Sequence, residues 1–206
     1  MDTDVESLSP SRDVSLDSKL WVPSSLSSKT VILPDSRLFT FELSHDSQCL
    51  GLPVGKYVML KINNPSTDET IIRAYTPVSK QTTIGTIDIL VKLDAPTPDY
   101  PNGGKVTMAM DKLPLGAMVK FKGPVGKFEY LRKGAVLLNG QKRYVQSFYM
   151  ICAGSGITPI FQILHTVMEN IEDHTSCVVV DGNRTETDIL CHAELDEFVA
   201  RDSSRI

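Results

Sequence analysis

The chain has 206 residues, 41% of them hydrophobic and 22% charged, with a formal net charge of −4. Such a composition suits one large or two small globular domains with enough apolar material to fill a core. The acidic balance argues against nucleic acid as a partner, and no apolar run approaches the roughly 20 residues that cross a bilayer.

Residues 1–18, rich in serine and aspartate, read as a disordered leader, and the acidic start is the opposite of a secretory signal. Over 19–131 the pattern is of short strands punctuated by turns, with candidates at 29–33, 37–43, 57–62, 71–79, 86–93 and 118–122. The fifth is clearest: Ile87, Ile89, Val91 and Leu93 alternate with Thr86, Asp88 and Lys92, and Leu90 is the exception. Six strands so spaced predict a small antiparallel β barrel. A helix-like stretch at 103–113 interrupts them, and Pro114 ends it.

Residues 132–146, carrying glycine and charge, read as a polar connector. The period then changes. A buried strand is expected at 147–153, followed by a break at 154–156. A helix follows over 158–170, with Ile160, Ile163, Leu164 and Val167 on one face. A second strand is expected at 177–180, and Thr187 or Asp188 could cap a second helix running through Val199. Strand–helix–strand–helix begins a parallel sheet covered by helices. Two such strands leave apolar faces open, so 147–206 reads as a truncated lobe.

Several segments carry chemistry. Arg73-Ala74-Tyr75-Thr76-Pro77 places a guanidinium, an aromatic ring and a hydroxyl in one extended stretch. The guanidinium suits a diphosphate, the ring suits a flat heterocycle or its polyol chain, and the hydroxyl suits a ring heteroatom. Those are the parts of a flavin dinucleotide. Alternation would put Arg73, Tyr75 and Pro77 on one face and Thr76 on the other, so a bulge or twist is needed to unite them. Gly103-Gly104-Lys105-Val106-Thr107 opens the short helix, where free amides and close backbone approach suit phosphate. Gly154-Ser155-Gly156-Ile157-Thr158-Pro159 joins the buried strand to its helix, as dinucleotide phosphates require, although Pro159 replaces the last glycine of the usual fingerprint. Gly123-Pro124-Val125-Gly126 reads as a turn shaping the barrel wall. The four histidines and four cysteines show no metal-ligand spacing, and the thiols read as buried and reduced in a cytoplasmic protein.

These segments are joined by Gly51-Leu52-Pro53-Val54-Gly55, Pro101-Asn102-Gly103-Gly104-Lys105, Gly182-Asn183-Arg184-Thr185-Glu186 and Asp188-Ile189-Leu190-Cys191. Together they make the chain resemble the ferredoxin-reductase-like flavoproteins from about Leu20 onward. The likeness is to the cytochrome b5 reductase branch and, within it, the flavin modules of fungal-type assimilatory nitrate reductases. It implies a six-stranded antiparallel FAD-binding barrel followed by a partial parallel-sheet NAD(P)-binding lobe. The implied activity passes electrons from NADPH or NADH through FAD to a haem acceptor, as the reductase part of nitrate assimilation.

The resemblance puts Arg73 on the pyrophosphate, Ala74 and Tyr75 against the flavin, and Thr76 near its reactive edge. Val91, Lys92, Tyr100, Gly104, Lys105, Val106 and Thr107 are further implied contacts to the cofactor. Gly154, Ser155, Gly156, Thr158 and Pro159 are implied for the nicotinamide nucleotide and the neighbouring flavin edge, with Thr76 and Thr158 as catalytic hydroxyls. The family usually has an aromatic where Asp94 stands, which puts a stacking contact there in doubt. Haem and molybdenum cofactor would belong to domains absent from these residues, as would any homodimer contact, and no membrane partner is implied. A free-standing cytochrome b5 reductase, the reductase component of an oxygenase, and an inactive flavin-binding remnant stay open as alternatives.

Overall fold

Alternating apolar residues build the first half of the chain. The computed structural model describes residues 13–206. Its first elements are β1 (Val22–Leu33), β2 (Ser36–Glu42), β3 (Tyr57–Asn63), β4 (Thr70–Tyr75), β5 (Thr86–Lys92), α1 (Lys105–Asp111) and β6 (Met118–Val125). The six strands form one antiparallel sheet in the order β4-β3-β6-β1-β2-β5. Its two end strands meet just beyond β4, where the Val78 N–H donates to Asp88 O at 3.0 Å and the Asp88 N–H to Ser79 Oγ at 3.2 Å. Inside, Phe39, Phe41, Val58, Leu60, Ile87, Ile89 and Phe121 are buried, with Phe41 and Phe121 edge to face at 5.3 Å. Each such side chain contributes roughly 1.5–3 kcal/mol by leaving water.

Three expectations shift in this half, and one irregularity finds its cause. β1 starts at Val22 because Val22–Ser25 pair with β6, a stretch hidden in the sequence by serines at 24, 25, 27 and 28. β6 runs on through Gly123-Pro124 to Val125, so the expected turn there is strand. The pairings Tyr57↔Val125 and Met59↔Lys122 leave one extra residue on β6, a bulge that tolerates a proline without its N–H. Leu90 breaks the alternation of β5 because its outward side is buried too, in the cluster that joins the barrel to the second lobe. Most of the expected leader lies outside the described residues. The rest of it is tied to the barrel: the Ser15 and Leu16 N–H groups donate to Cys49 O and Leu50 O at 2.9 and 3.2 Å, and Leu16 packs on the barrel core.

The polar connector is instead an antiparallel meander of β7 (Phe128–Arg132), β8 (Ala135–Leu138) and β9 (Gln141–Tyr144). Asn139 and Gly140 turn it with φ of +52° and +78°. An Asn-Gly pair favours that hairpin geometry, and it was the local signal available in the sequence.

Beyond it come β10 (Ser147–Ala153), a 3-10 turn at Gly154–Gly156, α2 (Ile157–Glu169), β11 (Ser176–Gly182) and α3 (His192–Arg201). β10 and β11 pair in parallel from Ser147↔Ser176 to Ala153↔Gly182. α2 covers one face with Ile157, Ile160, Leu164 and Val167. The other face carries Tyr149, Ile151, Val178 and Val180 at 79, 81, 45 and 57% exposure. Thr187 and Asp188 do not cap α3. They lie in a short 3-10 turn over Glu186–Asp188, and α3 begins after Cys191, a residue in the left-handed region at φ +56°. Among the described residues no helix is long and apolar enough to cross a membrane.

Candidate functional site

The end of β4 and the start of α2 face one another across a cleft of about 660 Å³, within the roughly 300–1,000 Å³ of small-ligand sites. Arg73, Ala74, Tyr75 and Thr76 all line it. β4 stops at Tyr75 and backbone pairing resumes at Val78, so Thr76 stands outside the ladder and is free of its two-face alternation. This is how one segment offers all four residues to one space.

Three cations reach the cleft, and two are paired: Lys92 Nζ with Asp35 at 3.4 Å and Lys105 Nζ with Glu69 at 2.7 Å. Arg73 is exposed and donates to the Ile72 carbonyl at 2.8 Å, with no carboxylate partner among the described residues. Its remaining donors are open to an anion. Tyr75 packs partly on the barrel core, and burial pushes its phenol up to about 12, with Arg73 opposing and Asp94 reinforcing that shift. The hydroxyl therefore keeps its proton throughout the neutral range. Val91 also lines the cleft while its side chain joins the barrel core.

The loop after β5 folds back on itself to complete the wall. The Gly104 N–H donates to Asp94 O at 2.7 Å, the Asp94 N–H to Thr107 Oγ1 at 3.1 Å, and that hydroxyl donates to Gly104 O at 3.3 Å. A β-carbon at Gly103, where φ is +60°, would lie 2.4 Å from Asp94 O, so only glycine fits. The ring of contacts holds Gly104, Lys105, Val106 and Thr107 at the cleft. Further along the loop, Thr97 and Tyr100 exchange backbone hydrogen bonds at 3.0 Å, and Tyr100 reaches the rim more than half exposed. Tyr100 thus brings an aromatic ring to the same cleft that Asp94 lines.

From the second lobe, Ser155, Thr158 and Pro159 line the same cleft, and Thr158 Oγ1 donates to Ser155 O at 3.2 Å. Gly154 instead lines an adjoining cleft of about 920 Å³, which shares Lys92, Asp94 and Tyr100 with the first and extends to Asn183 and Arg184 beyond β11. Gly156 lines neither. It is exposed where the 3-10 turn joins α2, and a β-carbon there would meet Cys152 at 3.4 Å. The structure adds Gly55, Tyr57, Leu90 and Asp94 to the first cleft and Arg184 to the second. Gly55, with φ +87°, ends the glycine-bounded Gly51–Gly55 segment, whereas Tyr57 and Leu90 look like ordinary strand positions in the sequence.

Comparison with known proteins agrees with this geometry. Residues 23–130 match the oxidoreductase FAD-binding domain family and residues 150–206 the oxidoreductase NAD-binding domain family. The cytochrome b5 reductase domain of Ulva prolifera nitrate reductase superposes with a TM-score of 0.88 at 34% identity, covering 93% of this chain and 73% of that one. The chain belongs to this family of flavoprotein oxidoreductases. Curated relatives include the NADPH nitrate reductase of Aspergillus niger, 52% identical over 92% of this chain. An NADH nitrate reductase of Phaseolus vulgaris is 41% identical over 94% of it. The chain spans 22% of the length of each of these two relatives. The module therefore carries FAD- and NAD-binding domains in that order, on the ferredoxin-reductase-like fold expected from its motifs.

Proposed function

We propose that the 660 Å³ cleft binds FAD and that the module passes electrons from NADPH to a haem domain of a nitrate reductase. The observation that carries this reading is Arg73: a guanidinium without a carboxylate among the described residues, beside a protonated phenol and a hydroxyl released from strand alternation. Arg73 would hold the diphosphate, Ala74 and Tyr75 would support the ring system, and Thr76 would face its reactive edge. Lys105 and the Gly104–Thr107 turn would border the phosphates, and Val91, Lys92 and Tyr100 would flank the remaining cofactor.

The adjoining cleft, with Gly154 at one end and Arg184 at the other, would receive the nicotinamide nucleotide. Ser155, Thr158 and Pro159 would then stand between the two ligands. When bound, FAD supplies the redox chemistry, accepting a hydride from NADPH, which leaves as NADP⁺, and releasing the two electrons singly to an acceptor. The protein's part would be to orient both ligands. Preference for NADPH is favoured by identities of 41 to 52% to NADPH nitrate reductases of Pichia angusta and Aspergillus niger, against 41% to an NADH enzyme. The free state of all four cysteines supports a reducing compartment, and we place the module in the cytoplasm.

Purified module supplied with FAD should turn yellow at one flavin per chain and reduce ferricyanide faster with NADPH than with NADH. A colourless protein that leaves added FAD free would overturn the assignment of the cleft, and faster turnover with NADH would overturn the choice of donor.

A further inference from the structure

The two walls of the cleft belong to different lobes, so something must fix their separation. Thr158 and Pro159 open α2, and Gln162 follows Thr158 by four residues, on the same side of the helix. Gln162 is buried, and its Oε1 accepts the Gly55 N–H at 2.6 Å. Gly55 lines the cleft in a left-handed conformation at φ +87°, and a β-carbon there would lie 2.5 Å from the Phe128 ring. Its turn is wedged from both sides. The Lys56 N–H donates to Pro53 O at 3.1 Å, the Tyr130 N–H donates to Val54 O at 2.9 Å, and Val54 is buried in the cluster built around α2. The amide of a fixed barrel turn is thus tied to the side chain one helical turn beyond the residues that face the ligand.

We infer that Gln162 is a positioning residue: its bond to Gly55 sets the spacing between the Gly154–Gly156 turn with the first turn of α2 and the barrel wall bearing Arg73 to Thr76. It touches neither proposed ligand. Its effect falls on the relative placement of two bound molecules, where a shift of 1 Å costs on the order of 10²-fold in rate. This rests on the cleft being the FAD site.

The test uses the full-length enzyme and compares Gln162→Met, which keeps length and volume but cannot accept, with Gln162→Glu, which can. Gln162→Asn, one methylene short, replaces the methionine variant if that fails to fold. Four quantities are measured: hydrogen exchange at the Gly55 amide, bound FAD per chain, the KM for NADPH, and the rate at which NADPH bleaches the flavin. The expected result for Gln162→Met is Gly55 exchange faster by about tenfold, as loss of one hydrogen bond allows, and flavin bleaching slower by about tenfold. FAD content and KM should stay within about twofold, and Gln162→Glu should recover most of both losses. Unchanged Gly55 exchange, unchanged bleaching, or slowing that tracks flavin loss in both variants overturns the inference. A wild-type enzyme without flavin would instead overturn the reading of the cleft, and the Gly55 exchange result would still report on the strut.

Discussion

The phenol of Tyr130 donates to Asp173 Oδ2 at 2.6 Å, tying β7 to the loop between α2 and β11. The same carboxylate accepts the Lys133 N–H at 2.8 Å and the Thr175 hydroxyl at 2.7 Å, and Asp173 is fully buried. The Arg205 guanidinium closes the network from the far side, donating to the carbonyls of Val167, Asn170 and Asp173. A buried carboxylate is tolerated only when its lone pairs are filled, so this cluster is a structural joint. Tyr130→Phe should destabilise the module by about 1–3 kcal/mol, read from the midpoint of urea unfolding at constant slope. A loss below a few tenths of a kcal/mol would show that water replaces the phenol.

The joint also gives stability a pH dependence. Burial alone would push the Asp173 carboxyl up, but hydrogen bonds from Tyr130, Thr175 and the Lys133 and Thr175 amides outweigh it and hold the group below its ordinary 3.8. A folded pKa below the unfolded one means stability that is present above pH 3.8 and lost as pH falls through the depressed value. Wild-type protein should lose more stability between about pH 5 and about pH 2 than Tyr130→Phe does, because the variant depresses Asp173 less. Equal losses would remove Asp173 from the acid response.

Arg73→Ala removes the cleft's unpaired guanidinium. Charge-assisted hydrogen bonds of about 2–3 kcal/mol predict FAD binding weaker by about 30- to 150-fold, with lysine restoring only part of it. Titration of the apoprotein by flavin fluorescence quenching checks this. Unchanged affinity would move the diphosphate elsewhere.

Gly103→Ala should strain the loop beyond β5, since its β-carbon would lie 2.4 Å from Asp94 O in a left-handed backbone. The expected cost is upwards of about 1 kcal/mol, together with loss of flavin from the purified protein. A variant with wild-type melting temperature and full flavin would mean that the loop relaxes freely.

The thiols should be unreactive. Burial pushes Cys152 up to about 12, reinforced by its hydrogen bond to Asp181, while burial raises Cys191 to about 12 and Cys177 to about 11. Thiolate is the reactive form. Iodoacetamide at pH 8 should therefore label these three residues at least about tenfold more slowly in native than in urea-unfolded protein, measured by peptide mass spectrometry. Rapid native labelling of Cys152 would contradict its contact with Asp181.

Much of this was legible in the sequence because local pattern and burial agree. The period-2 alternation of β5 identified a barrel strand, and its exception, Leu90, marked where the second lobe packs. The segment from Arg73 to Thr76 stood out by its mixed chemistry and lines the cleft, but the early end of β4 that unites its side chains depends on pairing across the sheet, which no local period encodes. β9 was lost behind the charges of Lys142 and Arg143, and β8, only four apolar residues long, shows too little alternation to stand out, despite the Asn139-Gly140 turn. Hydroxyl and carboxylate at Thr187 and Asp188 looked like a helix cap, yet Thr185 Oγ1 lies 2.9 Å from the Thr187 hydroxyl and donates to Asp188 at 3.1 Å, and this helps hold a separate 3-10 turn.

The bare side of the β10–β11 pair governs how the module will behave at the bench. Tyr149, Ile151, Val178 and Val180 make an apolar plate bounded by strand edges that no described strand pairs. An uncovered apolar plate favours association, so sulfate-rich buffers should lower the module's solubility. Ile151→Lys would keep the material dispersed without touching the wall of either cleft.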